Sequence, residues 1–293
     1  PLIEDTLAAR IAIIKDQTDG FYSNSKPAKA IAAFNPNNIT VDGGGEDIGG
    51  IDVLAGKLKF LWTPSENYQA HLIIEHVKDR SDAPATANET PIGDGAAGEG
   101  YTWGALGFPG IGDADPFVTG ESDTCDISVC IEDGHHIDVD GIFLNQEWDI
   151  GSYTLKSITG FRESEEILNS TYTGEAWTSL YDASRNTKRE MFQQELRLTS
   201  NFDGPFNFVA GAAMYEDDLE FVVFASLGLV DPTPGSLFNT IRQIQFTKQD
   251  RESSALYIDG TYNLTESTSI TAGFRRSKDE KYFERLDQGG GAS

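Results

Sequence analysis

The chain has 293 residues, 39% of them hydrophobic, and its 22 Lys and Arg face 47 Asp and Glu, for a formal net charge of -25. Such an acidic balance argues against a nucleic-acid partner, whose phosphates it would repel. No apolar run approaches the ~20 residues of a membrane-crossing helix. The longest, Phe221 to Val230, contains Ser226 and Gly228, so the chain is either soluble or a barrel that crosses with strands.

Period-two alternation predicts nine strands. In chain order they are Thr6–Lys15, Val53–Thr63, Tyr68–Asp79, Gly141–Trp148, Tyr153–Glu165, Arg189–Ser200, Phe206–Glu216, Glu252–Tyr262 and Thr268–Lys278. Four short turns join them in pairs: Thr63 to Asn67, Asp149 to Ser152, Asn201 to Pro205, and Asn263 to Ser267. Long polar connections alternate with these turns, so all the short turns fall at one end. That sorting predicts an all-β antiparallel meander, a partial transmembrane β-barrel with short periplasmic turns and long extracellular loops.

Parity assigns the two faces. Leu54, Leu58, Phe60 and Trp62 share one face of their strand, and Ala55, Lys57, Lys59 and Leu61 the other. Trp62, Tyr68, Trp148, Tyr153, Phe206 and Tyr262 fall on the apolar face beside short turns, as an aromatic belt at a membrane boundary would. Lys57, Lys59, Glu75, Lys156, Arg162, Glu195, Arg197, Asp259 and Arg275 fall on the polar face, which would line a wet interior.

From Ser81 to Asp140 there are thirteen acids and no Lys or Arg, read as one long external loop. Cys125 and Cys130, the only cysteines, suit a local disulfide in an oxidising space. Tyr101, Trp103, His135 and His136 are candidates for ligand capture; as adjacent residues of an extended chain, the two histidines point apart and make a poor shared metal site. The letters Gly93-Asp94-Gly95-Ala96-Ala97-Gly98 match a dinucleotide fingerprint without its strand and helix. No catalytic constellation, cofactor motif or metal-ligand spacing appears, so no enzyme and no cofactor are expected.

Several segments resemble the barrel of TonB-dependent outer-membrane receptors: Asp5 to Arg10, Asp19 to Tyr22, Leu54 to Ser65, Tyr153 to Arg162, Gln194 to Ser200, Ala255 to Thr265 and Gly273 to Arg275. The resemblance implies residence in the bacterial outer membrane and energy-coupled uptake of a scarce small ligand such as an iron chelate, a cobalamin or a glycan. It implies as partners the outer-membrane lipid, a plug domain and a TonB-type energy-coupling protein. Neither a plug, a coupling box nor a final aromatic-ended strand is found, and nine strands are an odd number for closure, so residues 1–293 are expected to be a middle piece of such a barrel. A passive porin-type barrel and a soluble β-rich adhesin or binding module are the alternatives.

Overall fold

The structure, a computed structural model, describes residues 1–24, 40–41, 47–82, 118–119, 124–125, 130–131, 134–171, 181–227 and 241–290. Nine long strands form one antiparallel sheet: β1 (Leu7–Thr18), β2 (Ile51–Ser65), β3 (Tyr68–Asp79), β4 (His135–Ile150), β5 (Tyr153–Thr171), β6 (Tyr181–Ser200), β7 (Phe206–Leu227), β8 (Ile241–Thr265) and β9 (Thr268–Gly290). Each pairs with its chain neighbour, so the order is an uninterrupted meander. The sheet is open: among the described residues β1 and β9 are paired on one side only.

The short turns follow from local chemistry. Gly151 opens the two-residue β4–β5 turn at φ 61°, the left-handed conformation that tight hairpins require. Pro64 and Ser65, expected as turn, instead belong to β2. The ladder slips between Trp62 and Ser65, and this irregularity accommodates Pro64, which cannot donate to a regular ladder. The turn ends are tied across hairpins: Thr63 N–H donates to Thr6 O, Asp149 N–H to Asn67 O, Asn201 N–H to Ser152 O and Asn263 N–H to Pro205 O, each at 2.8 Å. This seam places all four short turns on one rim.

At the opposite end the strands outrun the sequence expectation. β7 continues eleven residues past Glu216, and β8 begins at Ile241 rather than Glu252. Phe221 to Phe224, whose sequence suits either an extension of the strand before them or a hairpin of their own, extend β7 and pair with β8. His135, His136 and Val139 likewise belong to β4, not to the acidic connection before it. That connection and the one before β2 pair with each other through short strands: Tyr22–Asn24 joins Asp47–Ile48 and Val118–Thr119, and Thr40–Val41 joins Thr124–Cys125, itself paired with Cys130–Ile131.

No second layer covers the sheet among the described residues. Ala70, Val139, Ala183, Ala225 and Ala255 are the only buried hydrophobic side chains there, whereas Leu256 is 64% exposed and Phe274 68%. A soluble sheet of this size would bury such residues against a core. Here the ladder pairs the backbone of every strand between the two edges and the greasy face is left uncovered, the arrangement a strand needs in hydrocarbon. No helix of the described residues is long and apolar enough to cross a membrane.

Candidate functional site

Residues directly opposite across a ladder share a face, so the registers carry the sequence parity across the whole sheet. One row runs Trp62, Ala70, Gln146, Ser157, Leu196, Ala212, Leu256 and Arg276. Every predicted apolar position falls on this outward face, with the six belt aromatics, and every predicted interior charge falls on the other.

A charge-free band runs along the outward face: from Leu54 to Trp62 on β2 and from Phe206 to Met214 on β7 it is nine residues deep and holds no Asp, Glu, Lys, Arg or His, and on β1, β3 and β9 it is shorter, closed by Lys15, His76 and Arg276. That depth matches a tilted membrane strand of ~9–11 residues. The next outward residues are Asp52, His76, Asp140, Glu163, Glu190 and Glu216 on β2 to β7, a charged collar facing the aromatic belt across the band. The row from Trp62 starts at the belt and ends at Arg276 beyond the collar edge, climbing about one residue per strand. With ~3.3 Å per residue and ~4.8 Å between strands, this is a tilt of about 35°, in the range of closed barrels.

Several polar groups on the outward band satisfy one another. Thr159 Oγ1 donates to Gln194 Oε1 (2.6 Å), Gln194 Nε2 to Ser157 Oγ (3.1 Å), and Tyr68 OH to Gln146 Oε1 (2.8 Å). In hydrocarbon such groups have no water to turn to.

The inward face is a network of ion pairs. Lys57 Nζ lies 3.0 Å from Glu75, and Arg162 Nε reaches 3.9 Å from the same carboxylate across Gly141, where a Cβ would sit 2.9 Å from Glu75 Cγ. Lys156 pairs with Glu147 at 2.6 Å. Arg197 holds Glu195 at 2.7 Å, and Tyr257 OH donates to the same carboxylate at 2.6 Å from two strands away. Arg275 stands 6.0 Å over the Tyr257 ring. A groove of about 350 Å³ beside this cluster is lined by Gln193, Glu195, Tyr215, Ser253 and Arg275 among others. Lys59 and Asp259 find no ion-pair partner among the described residues. Glu147 and Tyr257 were not singled out from the sequence; Glu147 was findable, because it stands as far from the β4–β5 turn as Lys156 does.

Above the collar Asp217, only 3% exposed, accepts a bidentate pair from Arg189 at 2.7 and 2.8 Å. The Arg189 hydrogen bonds hold the Asp217 carboxyl below its usual range against the opposing effect of burial. His135, at the start of β4, is pushed below the usual histidine value by burial, with Asp79 and Glu166 pulling the other way. Cys125 stands opposite Cys130 in backbone register; their side chains, and Tyr101 and Trp103 altogether, lie outside the described residues. No group of three or more metal-ligating side chains occurs among the described residues.

No protein-family model and no curated protein sequence matches the chain. Among solved structures it is similar to the ferric yersiniabactin uptake receptor FyuA from Yersinia pestis, with 14% identity and a TM-score of 0.57 over 99% of this chain and 39% of that one. The siderophore receptor PiuA from Acinetobacter baumannii (11%, TM-score 0.44, 97% and 43%) and the ferric-catecholate import receptor Fiu from E. coli (11%, 0.46, 98% and 48%) also match. The chain thus spans about two-fifths of the yersiniabactin receptor's length. The likeness to that receptor is one of fold alone, an antiparallel strand meander of the kind the sequence implied.

Proposed function

From this receptor-barrel fold, we propose that the chain forms part of the wall of a closed outer-membrane barrel that takes up a scarce ligand in an energy-coupled way. The observation that carries the membrane reading is the charge-free outward band, bounded by aromatics on one rim and a charged collar on the other. On this reading further strands pair with the open edges of β1 and β9, a plug fills the interior, and a TonB-type protein supplies the coupling. The ribbons that rise past the collar belong with external capture of the ligand, for which an iron chelate is the leading class.

The test is uptake by cells that produce the intact protein. A labelled ferric chelate should enter only when the protein is present, and entry should stop when the proton-motive force is dissipated. Entry that survives dissipation would favour the porin-type alternative. A protein that fractionates as soluble without detergent would favour the adhesin.

A further inference from the structure

The alternation that frees the outward band of charge sends the strands' charges inward, and there they do not balance. Three acids of the inward wall are each held by a wall cation: Glu75 by Lys57, Glu147 by Lys156 and Glu195 by Arg197. Asp149 and Asp259 are the wall acids from belt to collar that no such pair neutralises among the described residues. On the cationic side Arg10, Lys59, Arg162 and Arg275 remain. Arg162 only shares the carboxylate that Lys57 already holds, and Arg275 lies over the Tyr257 ring. Between belt and collar, a chain with a net charge of -25 therefore presents a cationic inner wall.

The surplus is sharpest at Arg10 and Lys59. They are directly opposite in the β1–β2 ladder, on the inward face, both exposed, and neither has an ion-pair partner among the described residues. Like charges placed directly across a ladder repel. Low-dielectric walls strengthen that field and raise the local concentration of counter-ions. An inward cation pair of this kind is stabilised by an anion that arrives from the interior.

We propose that Arg10 and Lys59 form an oxyanion-binding site on the inner wall, for a carboxylate or phosphate-type group. This deepens the uptake reading and rests on it: the cargo class is an anionic solute. A carboxylate of a polypeptide lodged in the interior has the same chemistry and is the other possible source.

The test uses the intact protein that carries this chain, in detergent, titrated calorimetrically with citrate as the anionic probe and spermidine as its cationic counterpart. Citrate should bind and spermidine should not. Binding should weaken as salt rises, and R10Q/K59Q should weaken it about tenfold or more, while R10K/K59R keeps it. If the oxyanion belongs to a polypeptide instead, wild type takes up no citrate and R10Q/K59Q exposes that polypeptide to protease. This outcome supports the site and assigns its source. Citrate binding unchanged in R10Q/K59Q, or neither citrate binding nor an altered protease pattern, overturns the proposal. Failure of the barrel reading shows separately, as a protein that stays in solution once detergent is removed.

Discussion

The phenol ring of Tyr257 lies across the backbone of Gly211, so close that a Cβ on that glycine would stand 2.4 Å from the ring's Cζ and hydroxyl. The two residues are directly opposite in the β7–β8 ladder, and only a glycine lets the ring lie flat and reach Glu195 and Arg197 on β6. Three strands are thereby locked in register on the inward side, where bulk and charge must share limited space. An aromatic that covers a glycine supplies the packing the glycine lacks.

Gly211→Ala should therefore cost more stability than Gly56→Ala, since a Cβ at Gly56 meets nothing within 4 Å. The expected difference is about 1–3 kcal/mol for overpacking. Tyr257→Phe keeps the ring and should cost about 1–2 kcal/mol for the lost hydrogen bond to a carboxylate. Denaturant unfolding of the intact protein in lipid vesicles measures all three variants.

A charge on the outward band should be far worse than one on the inward wall. Leu196 is 48% exposed near the middle of the band, whereas Gln193 faces inward on the same strand. Leu196→Arg should cost about 2–4 kcal/mol in vesicles, and Gln193→Arg less than half of that. Equal costs would mean that the two faces meet the same medium.

The Asp217–Arg189 pair sets an acid limit. The Asp217 carboxyl titrates below its unfolded value, so its contribution is full above that value, ~4 for an aspartate, and is lost as pH falls through the lower folded value. Arg189 is 40% exposed, so solvent weakens the pair. Asp217→Asn should cost about 1–2 kcal/mol at neutral pH and flatten the acid limb of the stability profile below pH ~4. Unfolding midpoints measured across that pH range give the comparison.

The fold was legible because tight turns fix register. Once Gly151 and Ser152 are recognised as a turn, Glu147 must oppose Lys156 and Trp148 must oppose Leu155. Which residues share a face followed from counting outward from such turns. The upper strand ends were not legible: past the collar Glu216, Asp218 and Glu220 put charge on the outward face, the continuous apolar run from Phe221 breaks the period of two, and yet backbone pairing continues from Asp217 to Leu227. The Tyr257–Gly211 contact was hidden for a different reason. β7 and β8 are joined by a long connection, whose length leaves the register open, so no count along the chain brings those two residues together. Arg189 and Asp217 were missed because the predicted strands stopped at or just before them.

The central claim is that hydrocarbon touches the outward band, and a spin-label scan of β7 in vesicles tests it most directly. Labels placed one at a time from Phe206 to Tyr215 are relaxed by oxygen, which concentrates in lipid, or by a water-soluble nickel chelate. The account predicts a period of two: high oxygen access at Phe208, Ala210, Ala212 and Met214, and low oxygen access at Val209, Gly211, Ala213 and Tyr215. Equal access of the nickel chelate to both sets, with no alternation, would contradict it.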